Sequence, residues 1–415
     1  MSVEPGPCDT LVIGAGIVGL ACALQLQQGG CKVAVVDDDT EGQAASWGNA
    51  GHIATEQIAP LASLAMLRAA PRRLFAFGGP LDLRRPWRLG GWIVRYLAAC
   101  APSRHRAGTQ SMRELLADAM PAWREFVTDL GAPDLLRESG HIVCWGSARA
   151  AEEGQAAWHA AELGSARIGP VDPGLSACLE RALGNAPAAA IAFAGTGQIS
   201  SHPRLRALAR HHFSNGGGRF HRGRVTRLAA TSARLHVELA EGRTLTPERV
   251  VVCAGIGSAA LLAPLGLRVP LVAERGYHLH WAEHDWPDAL PPVVFEDRSI
   301  IATCFSDGLR LAGFVEYAPA DTPPDPRKWQ ALAGHALALG LPVRGTPQRW
   351  FGARPSLPDF LPAIGQVRNV PQVYYALGHQ HLGLTLAPVT ARLLAAQIQG
   401  GAPSIPLAAF DLARF

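Results

Sequence analysis

The chain predicts an α/β fold in which a discontinuous domain on a parallel sheet carries an inserted β-rich (α+β) domain. Three observations predict it. Near the N-terminus, Leu11-Val-Ile-Gly14-Ala-Gly16-Ile-Val-Gly19-Leu places three glycines between an apolar strand and a helical pattern, and a second apolar run ends in Asp37. Strand-like runs leading into small-residue turns recur far downstream, at Arg249-Val-Val-Val-Cys-Ala-Gly255 and at Gln372-Val-Tyr-Tyr-Ala-Leu-Gly378. Between them, alternating segments such as Tyr277-His-Leu-His-Trp281, Ser299-Ile-Ile-Ala-Thr-Cys304 and Leu309-Arg-Leu-Ala-Gly-Phe314 read as antiparallel strands. At 415 residues the chain is too long for one compact unit. Nucleotide-binding signals at both ends and in the middle make the first domain discontinuous. Its expected segments are 1–80, 195–265 and 345–415, with 81–194 and 266–344 forming the other domain.

The first β-α-β unit, residues 10–37, is Rossmann-like. Gly14 permits the tight turn out of the strand, Gly16 lets a pyrophosphate approach the backbone, and Gly19 lets helix and strand pack closely. Ile17 and Val18 open the helix, whose free N–H groups suit phosphate oxygens. Asp37 stands about twenty residues beyond the loop, where an acid accepts hydrogen bonds from a ribose.

A loop follows with Ala45-Ser46-Trp-Gly-Asn49-Ala50-Gly51-His52-Ile53. Residues 54–105 read as irregular or weakly helical. The spacing of Leu115, Leu116, Ala119, Trp123, Phe126 and Leu130 predicts a helix over 111–130. A strand is expected at His141–Trp145, with helices near 148–163 and 203–213. Strands follow at 219–228 (in two pieces), 235–239 and 249–253. Helices are expected at 258–265, 326–340 and from about Leu384 to Gln399, the last stopped by Gly400-Gly401.

The formal net charge is +4, without a long basic run, which suits a small anionic ligand and does not point to nucleic acid. The eight cysteines form no Cys-x-x-Cys pair and read as reduced thiols, a cytoplasmic pattern. The first residues carry no basic signal-peptide region, and the apolar run 11–26 is too short and glycine-punctuated for a membrane span. The stretch from Arg84 to Tyr96 mixes arginines and aromatics. It reads either as a surface on the inner face of an anionic membrane or, preferably, as a buried aromatic helix with exposed arginines. His278/His280 and His379/His381 form two His-x-His pairs, but carboxylate or cysteine partners at ligand spacing are missing, so no metal is expected.

Taken together, Val12–Leu20 with Val35-Val-Asp37, Ser46–Ile53, and Trp350-Phe-Gly-Ala-Arg354-Pro-Ser-Leu-Pro-Asp-Phe-Leu-Pro-Ala-Ile-Gly365 followed by Gly378-His-Gln-His-Leu-Gly-Leu-Thr385 resemble the FAD-dependent D-amino-acid oxidase and glycine oxidase family. The resemblance spans nearly the whole chain and looks nearest to bacterial D-amino-acid dehydrogenases and D-hydroxyproline dehydrogenase subunits. It implies that Gly14, Gly16 and Asp37 hold the ADP half of FAD. Ser46, Asn49, Ala50 and Gly51, with His52 and Ile53 beyond them, line its pyrophosphate and flavin edge. Val225 reaches the adenine through its backbone, and Ala254 and Gly255 add a second small-residue contact. Leu382, Gly383, Leu384 and Thr385 lie under the flavin's pyrimidine side, where a helix N-terminus stabilises an anionic reduced ring.

Arg354 matches the family's substrate-carboxylate arginine, whose guanidinium fork fixes the substrate over flavin N5; the alternative is an arginine bonding backbone carbonyls before Pro355. His52 and His379 are candidates for approaching flavin and substrate, and Tyr277 for closing the pocket, each against a purely structural role. His381 stands where glycine oxidases commonly carry Arg. The implied activity is oxidation of a D-amino or imino acid, D-proline or D-hydroxyproline in type, with a quinone or carrier protein as acceptor and heteromeric subunits as partners. A glycine- or sarcosine-type oxidase producing peroxide, and an FAD-holding subunit of a larger electron-transfer complex, are the alternatives.

Overall fold

The computed structural model describes residues 9–39, 41–184, 186–231 and 234–415; Cys8 and the N-terminal residues read above for a targeting signal lie outside them. Strand β1 (Thr10–Ile13) leads through the glycine loop into helix α1 (Ile17–Gln28), and β2 (Val33–Asp37) returns parallel to β1. β1 and most of β2 are buried, as parallel strands covered on both faces must be. α1 is apolar almost all round because it is sandwiched between this sheet and the last helix, Gly383–Ile398. Gly19 makes that closeness possible: a Cβ there would lie 1.9 Å from the Gly14 carbonyl oxygen.

The six-stranded sheet runs in the order Arg219–Arg222, β2, β1, Arg249–Val252, Val373–Leu377, Ala363–Gln366. All neighbours are parallel except the last pair. Its strands come from widely separated parts of the chain, so the first domain is discontinuous as expected.

A larger sheet forms the second layer. Gln348–Ser356, Val272–Trp281, Gly308–Ala318 and Ile300–Phe305 pair antiparallel in that order. Val293–Phe295 then joins it in parallel to His141–Trp145. Helix Pro326–Ala338 covers one face, with Trp329 and Leu332 packed among Tyr277, Leu279 and Trp281. Since side chains alternate across a strand, Glu274, Gly276, His278 and His280 face the other way, over the loop that follows β2. This roof places the chemistry.

Three expectations need correction. Strand Gln348–Ser356 pairs in the roof, so the second unit runs past residue 344 to Ser356. The helix expected over 111–130 is two helices, Pro102–Ala117 and Ala119–Asp129. The pair at 102–129 buries Met112, Leu115, Trp123 and Val127 against α1 and the last helix, and so belongs to the first domain's core rather than to the second unit. Apolar spacing reports that a helix is buried, not against which sheet.

A charged cluster pins the second unit. Arg275 and Lys328 are buried and share Glu316; Lys328 also bonds Asp82, 2.6 Å away, and Arg275 donates to the Pro323 carbonyl. The Lys328 ammonium occupies the space among Asp82, Glu316 and Asp325. Breaking such a pair would leave an uncompensated buried charge, a cost of several kcal/mol. Among the described residues no helix is long and apolar enough to cross a membrane.

Candidate active site

The first part of the site is a cradle of backbone groups around the glycine loop. Gly14 has φ +105°, and a Cβ there would lie 2.4 Å from the Cys253 carbonyl oxygen. Its turn is thus fitted against Cys253 and Ala254, which follow Arg249–Val252, with Gly255 next in the chain. Gly16 caps α1, and its missing side chain faces the Ser46 hydroxyl, 2.9 Å from an ideal Cβ. Ser46 Oγ accepts from Ile17 N at 3.0 Å, so the loop after β2 abuts the helix start. Val18 lies in the same first turn, while Asp37 ends β2 and accepts from Ala15 and Asp39 N–H groups. Burial pushes its carboxyl pKa up against those hydrogen bonds. Gly223 N donates to the Asp37 carbonyl, which brings Val225, at the start of Val225–Ala230, beside the same sheet end.

The loop Ser46–Ile53 crosses under the roof. Asn49 Nδ2 donates to the Ser46 carbonyl, and Asn49 Oδ1 accepts from Gly51 N at 2.7 Å. Gly51 has φ +73°, and a Cβ there would meet the Phe305 ring at 2.6 Å. Ile53 is fully buried, and Ala54 N donates to Thr385 Oγ1 at 3.0 Å. That bond ties the loop to the start of the last helix, where Gly383 and Leu384 follow a single tight turn, Gln380–Leu382, that ends in Leu382. The N–H groups of Gly48, Asn49 and Ala50 donate to no acceptor among the described residues. Free N–H groups beside a helix N-terminus and glycines without room for Cβ atoms fit a pyrophosphate and an electron-rich ring. FAD fits this cradle: Gly14, Gly16, Asp37 and Ser46 would hold its ADP half, and Asn49 to Gly51 with Leu382 to Thr385 its ring system.

The second part is the roof facing that loop. Arg354 does not bond the carbonyls before Pro355. Its Nη1 donates to Glu274 Oε1 at 3.1 Å, and Glu274 Oε2 accepts from Ser356 Oγ at 2.7 Å. Gly276 makes room for the guanidinium, because a Cβ there would lie 2.2 Å from Arg354 Nη2. The Arg354 side chain keeps 26% exposure, and Nε and Nη2 have no protein partner among the described residues. One edge of the fork therefore stays open to a carboxylate.

The histidines divide. His52 Nε2 lies 3.3 Å from Glu56 Oε1, and its ring meets that of His141 edge-on with centroids 4.5 Å apart. Burial alone would raise the Glu56 carboxyl, but His52 and, more weakly, His141 hold it down to about 2. The structure thus gives His52 a buried carboxylate partner, in a cluster with Glu56 and His141 that sequence spacing did not bring together. His379, offered as approaching the substrate, instead bonds Thr390 Oγ1 at 3.0 Å inside the last helix's packing, and burial drives its pKa down to about 3. Tyr277, offered as closing the pocket, lies on the roof's far face. Its hydroxyl donates to Glu316 and accepts from Asp325 N, so its structural role holds.

His381 is the histidine beside the open arginine. Its Nε2 donates to Gln57 Oε1 at 2.6 Å, burial lowers its pKa, and it lies in the fields of Glu274, Arg354 and Glu56. With Nε2 carrying the proton, Nδ1 keeps a lone pair. The sequence marked His381 as a departure from the oxidases and as half of a His-x-His pair, not as a base.

The comparisons with known proteins agree with this geometry. A family model described as FAD dependent oxidoreductase, DAO, matches residues 9–397. A D-amino-acid oxidase of Bradyrhizobium diazoefficiens is 30% identical, covering 97% of this chain and 98% of its own length. A D-amino acid dehydrogenase of Cereibacter sphaeroides is also 30% identical, covering 98% and 95%. Among solved structures, glycine oxidase from Geobacillus kaustophilus superposes with a TM-score of 0.73 at 21% identity, over 99% of both chains, a likeness of fold. A matched family over nearly the whole length, a glycine cradle shaped for a dinucleotide and an open arginine over it all lead to one assignment: this chain belongs to the DAO family of FAD-dependent oxidoreductases.

Proposed function

We propose that the chain oxidises a D-amino acid, of the cyclic D-proline or D-hydroxyproline type, and passes the electrons to an acceptor other than oxygen. The observation that carries the proposal is the open edge of Arg354, a planar fork at a site where a carboxylate takes two parallel bonds. The relatives named D-amino-acid oxidase and D-amino acid dehydrogenase support the substrate class. Bound FAD supplies the hydride acceptor. Arg354 orients the substrate, and His381 Nδ1 takes the proton from its amine, because a neutral imidazole with a free lone pair accepts one at ordinary pH. Glu274 is bonded to Arg354 and Ser356, and Glu56 Oε1 to His52. The preference for a secondary amine rests on the resemblance of residues 49–56 and 378–385 to D-hydroxyproline dehydrogenase subunits.

Anaerobic mixing with D- and L-amino acids, followed by flavin bleaching, tests the substrate. Steady-state rates with a dye acceptor and with oxygen test the acceptor. D-proline-type acids should bleach fastest and oxygen should react slowly. Fast peroxide production, or preference for glycine, sarcosine or an L-amino acid, would establish the oxidase reading instead.

The acceptor side of the proposal is a quinone met at an anionic membrane surface. Trp92 and Tyr96 pack inward, Trp92 Nε1 donating to the Ser356 carbonyl two residues from Arg354. Around them Phe77 and Trp87 are each 77% exposed and Val94 67%. Arg68, Arg72, Arg85 and Arg95 are exposed without an acidic partner among the described residues. Exposed aromatics ringed by arginines match the headgroup region of an anionic bilayer. Co-sedimentation with vesicles containing phosphatidylglycerol should be strong at low salt and reduced in Phe77→Ser/Trp87→Ser; equal recovery with zwitterionic vesicles, or none with either, would remove the membrane from the account.

A further inference from the structure

Beneath the roof lies a basic cluster that the proposed chemistry does not use. Arg310, in strand Gly308–Ala318, is 7% exposed and sits opposite His280 across the ladder. Its Nη1 donates to the Asn49 carbonyl at 2.6 Å and the Trp47 carbonyl at 3.4 Å. Between those two, the Gly48 carbonyl accepts from His278 Nδ1 at 2.8 Å. The Asn49 amide oxygen accepts from His202 Nε2 at 2.8 Å. Three consecutive carbonyls of one loop are therefore drawn to the substrate-side unit by side chains of that unit.

The consequence follows from peptide geometry. In a trans peptide the N–H points opposite to the carbonyl. Holding the carbonyls of Trp47, Gly48 and Asn49 against the roof turns the N–H groups of Gly48, Asn49 and Ala50 away from it, toward the side where Gly16 and the start of α1 lie. These are the three N–H groups that lack protein acceptors. Arg310 is also poorly compensated. His202, His278 and His280 surround it, all made less basic chiefly by burial, and among the described residues Asp307 is the carboxylate acting on it. Its guanidinium lies 4.6 Å from the centre of the Phe305 ring.

We infer that Arg310, with His278 and His202, is a positioning residue for FAD: it aims the Gly48, Asn49 and Ala50 N–H groups at the cofactor and holds a positive charge behind them. The aimed N–H groups contribute affinity for FAD in either redox state. The charge behind them favours the more electron-rich, reduced state, since a buried cation is weakly screened.

Three variants separate these effects: Arg310→Met, Arg310→Lys and His278→Phe, the last keeping the stack on Trp350, whose ring lies 5.0 Å from His278. The readouts are the FAD dissociation constant of deflavinated protein, the midpoint potential by dye equilibration, and the melting temperature. Arg310→Met should weaken FAD binding at least tenfold and lower the potential. Each tenfold loss of reduced over oxidised FAD corresponds to about 30 mV for a two-electron couple. Arg310→Lys should hold the potential near wild type while binding FAD less tightly. His278→Phe should lose affinity with the potential unmoved. Wild-type affinity and potential in Arg310→Met, whatever its melting temperature, would make Arg310 a core-packing residue and overturn the inference. If Arg310→Met does not fold, wild-type affinity in both other variants overturns it equally.

Discussion

Arg354→Ala should abolish turnover and leave the protein yellow. The lost contact is a charge-assisted, two-bond grip on the substrate carboxylate, costing on the order of 3 kcal/mol or more in substrate binding and about two decades or more in kcat/KM. FAD should remain, since the cradle residues from Gly14 to Gly51 do not bond Arg354. Alanine has a second effect, because it strips the buried Glu274 of its cation. Stability should fall as well. Arg354→Lys separates the two consequences. An ammonium restores the charge beside Glu274, so the melting temperature should recover, but a point charge cannot reproduce the fork and turnover should not. Near wild-type kcat/KM in Arg354→Ala would show that another group holds the carboxylate.

Gly16→Val should yield folded, colourless protein. An ideal Cβ at this position lies 2.9 Å from Ser46 Oγ, and a β-branched side chain adds two methyl groups to that contact. Ser46 must swing away, which breaks its bond to Ile17 N. The valine then fills the space where a pyrophosphate approaches the helix start. The absorbance of the purified variant near 450 nm and an FAD titration check the outcome. Gly334→Ala is the control: in helix Pro326–Ala338 nothing lies within 4 Å of its Cβ, so FAD content should match wild type. A Gly16→Val protein carrying a full complement of FAD would place the cofactor elsewhere.

The nucleotide cradle was readable because its logic is local. Gly14, Gly16, Gly19 and Asp37 lie within one β-α-β unit, and each is required by turn geometry, close approach or strand-end position that a short window contains. Arg354 was readable through its neighbours in the chain, not through physics. A lone Arg-Pro does not say whether the guanidinium meets a carbonyl or an acid, and Glu274 lies eighty residues earlier.

The misassigned residues share one cause. Alternation along Val272–Trp281 shows that Tyr277 and His278 face opposite ways, but not which face meets the cofactor. Helix Pro326–Ala338 decides that by covering the Tyr277 side. The contiguity of His379 with His381 likewise hides that one turn of chain sends the first ring into the packing of the last helix and the second toward Gln57.

The sequence by itself determined the class of fold, because glycine loops, apolar strands and an acid at a strand end are constraints of the local backbone; the cofactor and the family were legible through the resemblance that Ser46–Ile53, Trp350–Gly365 and Gly378–Thr385 add to that unit. The tertiary structure alone decided where the second unit ends, that Glu274 pairs with Arg354, that His52 meets Glu56 and His141, and that Arg310 grips the loop under the roof. Each of those is a contact between segments far apart in the chain. Such contacts exist only once burial has chosen which face of each strand and helix turns inward, and the apolar pattern of one segment does not carry that choice.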